Sequence, residues 1–287
     1  MTTTLPILVA YDGSADAEGA LQWSAAESLR TGVPLRVLAV NAVVPPIWGG
    51  MAGGAGMAGV VDIPVGDSSA LLEQAGKTLS EAGVGSAALD QATGHVVDVL
   101  LRAGESASML VVGSHGHGRT GEALIGSVSQ HLARHATCPV VVVRQARDPE
   151  ARRIVVGIDG SPSSVAALDY ACRRAEDTGE TVVAVHAWRV HAPSTDVWNS
   201  NPRSVDSEER EVLLSESLAG VREDHPDVHL EQAVVPVAPG QALVDASAGA
   251  SLVVVGSRGL GFFSGLLLGS VSQVVLHRAE CPVAVIR

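Results

Sequence analysis

The chain has 287 residues, 46% apolar, 17% charged and only 3% aromatic, which excludes a compositionally disordered polymer and leaves enough length for two cores. Its formal net charge of −12 is evenly spread: residues 1–143 carry 6 basic and 12 acidic side chains, and residues 144–287 carry 13 and 19. Such a chain is repelled at long range by nucleic acid and by anionic membranes, although an anion site made of backbone N–H groups needs no net positive charge.

The N-terminus MTTTLPILVAYDGS has no basic region followed by a long apolar stretch, so no signal peptide is expected. An apolar run, Ile7–Tyr11, ends in Asp-Gly-Ser, where the chain must turn. Ser14 or Asp16 can cap a helix over 16–31. The β-branched run at 35–40 reads as a second strand, followed by the glycine-rich stretch 49–60, a surface loop. A helix is expected over 67–82, a weaker strand over 87–93 and a short helix near 96–103. The apolar MLVVG then leads to a glycine-rich loop, a last helix from 127, and the strand PVVVV. Few aromatics and short, fully apolar strands alternating with helices point to a parallel sheet covered on both faces.

The order then repeats. Residues 7–25 return at 154–172, displaced by 147 positions, and residues 126–143 return at 269–286, displaced by 143. The polar joint RQARDPEARR at 144–153 is a short linker, giving domains of 1–146 and 152–287. In the second half, helices are expected over 162–178, 206–224 and 240–248 and from 270, with strands at 154–158, 181–187, 228–235, LVVVG and PVAVI. Cys138, Cys172 and Cys281 lack metal-ligand spacing and read as buried free thiols of a reducing compartment. The longest apolar stretch, around Phe262–Leu268, is too short to span a membrane, so a cytoplasmic location is expected.

The loops after the fourth strands share one spacing. Gly113, Gly116, Gly126, Ser127 and Ser129 recur as Gly256, Gly259, Gly269, Ser270 and Ser272. Open α/β sheets bind ligands at the carboxyl ends of their strands. There, glycines with positive φ let a backbone approach a ligand, and a helix opening at Ser127 or Ser270 offers unpaired N–H groups and hydroxyls to an anion such as a polyphosphate. The same residues can equally serve only to shape a turn and cap a helix. Asp12 and Asp159, at the ends of the first strands, can accept from ribose hydroxyls or merely cap their turns.

On these residues the chain resembles a tandem universal stress protein of the ATP-binding type. Gly-x-x-Gly, nine residues, then Gly-Ser is met in full at 113–127 and at 256–270, beside the early Asp-Gly-Ser and the late Cys-Pro. The resemblance implies two three-layer α/β/α domains of the adenine nucleotide alpha hydrolase-like class, each with a five-stranded parallel sheet ordered 3-2-1-4-5. It implies ATP across the first and fourth strands, with Mg²⁺ bridging phosphates and water. Asp12 and Asp159 match the ribose-side aspartate, and Ala42 and Ala187 match an adenine-reading position just beyond strand two. Gly113, Gly116, Gly126, Ser127, Val128 and Ser129 match the phosphate side, as do Gly256, Gly259, Gly269, Ser270, Val271 and Ser272. From its place between two glycines, Arg258 is a further candidate for phosphate contact, the alternative being a surface residue. The resemblance also implies antiparallel pairing of Val140–Val143 with Val283–Ile286, joining the halves as a pseudo-dimer.

The two loops differ: His115, His117 and Arg119 of the first are replaced by Arg258, Leu260 and Phe262 in the second, so unequal ATP affinity is open. His115 and His117 read as loop or phosphate-contact residues rather than a metal pair. The single lysine, Lys77, lies in a helix away from the loops, and there is no Gly-Lys-Ser/Thr ending. No catalytic residues and no protein metal site are therefore assigned. The expectation is a nucleotide-binding regulatory protein of stress adaptation or growth control, with an unknown protein partner and possible homodimerisation. Slow Mg²⁺-dependent ATP hydrolysis and a nucleotide-independent dimerisation module are the alternatives.

Overall fold

The structure, a computed structural model, describes residues 4–44, 63–65, 68–116, 125–144, 150–188, 202–260 and 267–287. The first half runs β1 (Ile7–Ala10), α1 (Ala15–Thr31), β2 (Leu35–Val44), β3 (Ile63–Val65), α2 (Ser69–Glu81), β4 (Ala87–Gly94), α3 (Val96–Gly104), β5 (Met109–Gly113), α4 (Ser127–His135) and β6 (Val140–Val143). The second runs β7 (Arg153–Gly157), α5 (Pro162–Thr178), β8 (Thr181–Ala187), α6 (Pro202–Asp224), β9 (Leu230–Val235), α7 (Pro239–Ser247), β10 (Leu252–Gly256), α8 (Ser270–Arg278) and β11 (Val283–Ile286).

Local chemistry explains the helix ends. Ser14 and Ser161 adopt extended backbone and accept from the N–H groups of Ala17 and Ser164, so the serine rather than Asp16 caps α1. Pro162 opens α5, while Gly32 and Gly179, at φ 69° and 68°, close α1 and α5 in the left-handed region.

Both halves show the parallel order 3-2-1-4-5, as β4-β2-β1-β5-β6 and β9-β8-β7-β10-β11. One addition escaped the sequence reading: β3 pairs antiparallel with the end of β2, Ala42 opposite Val65. The halves meet through β6 and β11, antiparallel, with Val141 opposite Ala284, making one 11-stranded sheet. All four residues of each of these strands are buried, so the pairing removes two apolar edges.

Alternation along the strands divides the core into two layers. Ile7, Val9, Ile154 and Val156 pack beneath α1, α2, α5 and α6, whereas Leu8, Leu110, Val155 and Val253 pack beneath α3, α4, α7 and α8. The outer strands β4 and β9 carry no fully buried residue, which is why their sequences lack a continuous apolar run. The cysteines are free; burial pushes the Cys172 thiol up to about 11 and that of Cys281 to about 12, leaving them inert. Among the described residues no helix is long and apolar enough to cross a membrane.

At the junction, Arg174 of α5 pairs with Glu27 of α1 and lies 5.5 Å from the centre of the Trp23 ring. Glu180 stands 3.5 Å from the same guanidinium, and all three charged side chains are buried.

Candidate functional site

Two cavities open at the carboxyl ends of the strands, one per half, where the first and fourth strands diverge. Their volumes are about 320 Å³ in the N-terminal half and about 450 Å³ in the C-terminal half. Both fall in the range of small-molecule sites.

Each cavity is framed by the same backbone. After β5, the Ser114 N–H donates to Val143 O at 2.9 Å, and Gly126 N–H returns to Ser114 O at 2.7 Å. After β10, Ser257 N–H donates to Ile286 O at 2.6 Å, and Gly269 N–H returns to Ser257 O at 2.8 Å. Gly126 and Gly269 are the N-caps of α4 and α8, and neither helix has a side-chain cap. The first N–H groups of these helices have no intrahelical partner, so they can meet an anion at the cavity rim. The Gly126 and Gly269 amides themselves are already spent on closing the loops. The hydroxyls of Ser129 and Ser272 are also engaged, donating to Gly113 O at 2.6 Å and Gly256 O at 2.7 Å. They position the helix start rather than offering a free donor, which corrects the expected receptor at Ser129 and Ser272 and leaves the Ser127 and Ser270 hydroxyls in it.

A second correction concerns the glycines: none of the six at the shared spacing has positive φ. Gly113, Gly116, Gly256 and Gly259 are required by close packing instead. A Cβ on Gly113 would lie 2.6 Å from the backbone of Asp16, and one on Gly256 would lie 2.8 Å from the backbone of Ser163, where the first turns of α1 and α5 press on the strand ends. A Cβ on Gly116 or Gly259 would strike the carboxylate of Asp12 or Asp159, at 2.6 Å and 2.2 Å. The left-handed residues are Gly13 and Gly160, φ 80° and 83°, inside the Asp-Gly-Ser turns. Gly269 differs from the rest: a Cβ there would have no protein atom closer than 3.6 Å.

Asp12 Oδ1 accepts from Ser14 N–H at 3.0 Å, and Asp159 Oδ1 accepts from Ser161 N–H at 3.0 Å. Asp159 Oδ2 also accepts from Leu260 N–H at 3.0 Å. Burial works to raise the Asp159 carboxyl, but hydrogen bonds from Ser161, Leu260 and Ser164 outweigh it and hold the group below the ordinary carboxylate range. It is an anion at neutral pH.

The cavities diverge at one place. His115 and Arg258 occupy equivalent positions, each between the first two glycines of its loop. Asp16 Oδ2 accepts from Ser114 Oγ at 2.6 Å and from His115 N–H at 2.9 Å, and its contact with His115 Nδ1 is 3.0 Å. In the second half Ser163 replaces Asp16 and donates to the Arg258 carbonyl. His117 and Arg119 lie outside the described residues, as do Phe262 and the glycine-rich stretch 49–60.

Asp12, Gly113, Gly116, Gly126, Ser127, Val128 and Ser129 all line the N-terminal cavity. Asp159, Ala187, Gly256, Arg258, Gly259, Gly269, Ser270, Val271 and Ser272 all line the C-terminal one. Ala42 does not: it sits inside β2 rather than beyond it, paired with Gly94 and Val65. Register explains the displacement. Leu35 pairs with Ile7 as Val182 pairs with Ile154, which makes Val40 the counterpart of Ala187, and Val40 lines its cavity. Tyr11, Leu38 and Leu100 of the N-terminal wall, and Leu243 of the C-terminal wall, were also missed. Their only sequence signal is apolar character shared with the rest of the core. Among the described residues no group of three or more His, Cys, Asp or Glu side chains could hold a metal ion.

Comparison with known proteins agrees with the fold. The Universal stress protein family matches residues 4–144 and again residues 150–287. The chain belongs to the universal stress protein family. A universal stress protein of Mycolicibacterium smegmatis is 36% identical over 99% of this chain and 98% of the relative. One of Mycobacterium tuberculosis is 36% identical over 98% of this chain and 96% of its own length. Among solved structures, a universal stress protein from Archaeoglobus fulgidus superposes with a TM-score of 0.67 at 19% identity, covering 99% of both chains. A putative universal stress protein from Pseudomonas aeruginosa gives 0.62 at 18% identity, over 99% of this chain and 93% of that one. These distant universal stress protein structures support the tandem fold.

Proposed function

We propose that this universal stress protein is an ATP-binding regulatory protein, with one adenine nucleotide cavity in each of two domains, 1–146 and 152–287. The observation that carries the reading is Gly269. The fold has room for a side chain there, φ is ordinary, and yet the position that opens α8 at the cavity rim is left without one. A ligand seated against that backbone accounts for the bare position. The helix-start amides of Ser127, Val128 and Ser129, and of Ser270, Val271 and Ser272, would receive phosphate oxygens. Asp12 and Asp159, with their side-chain oxygens at the strand ends, suit ribose hydroxyls. Val40 and Ala187 take the adenine side, with Val40 replacing Ala42 in that role. On that assignment both halves would fall in the adenine nucleotide alpha hydrolase-like class.

Mg²⁺, when bound with ATP, would neutralise phosphate charge, held by phosphates and water, since among the described residues each cavity wall offers a single carboxylate. We read the role as regulatory binding rather than dedicated catalysis, because what converges at each cavity rim is a set of backbone amides suited to holding phosphate. Occupancy would bias loop order and thereby the surface shown to a protein partner in the cytoplasm. The test is the small-molecule content of the purified full-length protein, followed by incubation with Mg-ATP. Retained, unchanged ATP is expected; protein-dependent release of ADP over many turnovers would favour hydrolysis, and absence of nucleotide even at saturation would favour a nucleotide-independent dimerisation module.

A further inference from the structure

The two cavities share a frame but not a charge. The titratable side chains among the described lining residues are Asp12 and His115 in the N-terminal cavity, besides the Tyr11 phenol, against Asp159 and Arg258 in the C-terminal one. His115 is tied to Asp16, so its imidazole is balanced by a carboxylate one shell behind it. Arg258 has no such carboxylate at the equivalent place, because position 163 is serine. The arginines that follow the last strands repeat the contrast. Arg144 donates to Leu276 O at 2.7 Å and to His277 O at 2.6 Å, so its guanidinium is spent on the end of α8, though it also senses Asp16. Arg287 instead stands beside Arg258; burial and that neighbouring charge hold it below the usual arginine range. Size points the same way, the N-terminal cavity being the smaller at about 320 Å³ against about 450 Å³.

We propose that the two cavities are divided by phosphate charge: the C-terminal cavity is the polyphosphate site, and the N-terminal cavity takes a nucleotide carrying a single phosphate group. The physical basis is Coulombic. A triphosphate places several negative charges at the loop, and a guanidinium there supplies a permanent cation with bidentate geometry. An imidazole held by the Asp16 carboxylate supplies no uncompensated cation, so each further phosphate group at that loop is held by backbone amides and by its own counterions. The inference rests on the nucleotide reading above and deepens it.

The experiment is calorimetric titration of the full-length chain with Mg-ATP and, separately, with AMP, then of each in the presence of the other. One ATP per chain is expected to bind tightly, one AMP is expected to bind without displacing it, and ATP at the N-terminal cavity is expected to be weaker by about tenfold or more, the worth of one charged hydrogen bond. The double variant Asp16→Ser, His115→Arg installs the second cavity's residues in the first. It is expected to take up a second ATP per chain with a gain of about tenfold and to lose its preference for AMP. Should that variant melt early, the reciprocal Ser163→Asp, Arg258→His carries the test, by a loss of similar size at the tight ATP site. Two equal ATP sites in the wild type, or AMP and ATP competing for one site, would overturn the division while leaving nucleotide binding intact. No heat with either nucleotide would overturn both.

Discussion

The N-terminal and C-terminal cavities show which parts of a duplicated site are held by the fold and which are free to change. Gly113 and Gly256 answer to the same packing demand, the first turn of a helix pressed on a strand end, and both remain glycine. Gly116 and Gly259 likewise make room for Asp12 and Asp159. Where the frame makes no demand, the copies part company: Asp16 faces His115 in one, Ser163 faces the Arg258 carbonyl in the other. The difference between the halves is therefore chemical and not architectural.

The same contrast reaches the junction, where breaking it has the largest expected effect. Positions 27 and 174 are related by the 147-residue displacement, yet carry opposite charges and meet each other as a buried ion pair. Arg174→Ala would leave Glu27 buried with only the partly exposed Arg30 beside it. We expect a loss of about 3 kcal/mol in urea unfolding, the lower end for breaking a buried pair. Exchanging the charges, Glu27→Arg with Arg174→Glu, should recover part of that loss but not all. The new arginine would face Arg30 and the new glutamate Glu180. Equal stability of the Arg174→Ala variant and the wild type would show that the halves hold together without this charge difference.

A smaller effect sharpens the comparison through pH. The first half ties α2 to α1 through Thr78, whose hydroxyl donates to Glu18 at 2.9 Å, a contact without an imidazole. The second ties the chain after α6 to α5 through His225, whose Nδ1 lies 2.8 Å from Glu176 and whose Nε2 lies 3.2 Å from Asp169. The hydrogen bond with Glu176 raises the His225 pKa above its ordinary 6.5, against the opposing pull of burial, with Asp169 adding to the rise. A raised histidine binds its proton more tightly when folded, so its contribution is full below about 6.5 and fades as pH climbs through the raised value. His225→Gln should therefore destabilise the chain more at about pH 5.5 than at about pH 9, measured by thermal unfolding at both. A cost independent of pH would assign His225 a packing role alone.

Much of the fold was legible because its signals are local. Ser14, Ser161 and Pro162 announced their helices, and runs such as MLVVG and LVVVG announced the buried strands. The family resemblance brought Asp12 and Gly116, and Asp159 and Gly259, to one expected site, since each copy carries the Asp-Gly-Ser turn and the glycine loop. What stayed hidden depends on register and distance. Ala42 and Ala187 look equivalent by position after an apolar run, but the pairing of β2 with β1 makes Val40 the counterpart. Spacing also cannot separate a glycine that needs left-handed backbone from one that is merely crowded, and Gly113 and Gly116 are of the crowded kind. Asp16 and His115 are 99 positions apart and meet only because β5 ends against the start of α1.

The central claim is that nucleotide phosphates rest on the bare backbone at the start of α4 and α8. Its most direct test is an ATP titration of the full chain beside its Gly126→Ala, Gly269→Ala variant, with circular dichroism and melting as the folding control. Alanine at 269 meets no protein atom closer than 3.6 Å, whereas at 126 the Ser114 carbonyl, 3.1 Å away, must give by a few tenths of an ångström, so the variant should fold with a modest loss of stability. We predict that ATP binding is then lost. A folded variant that binds ATP as the wild type does would contradict the account.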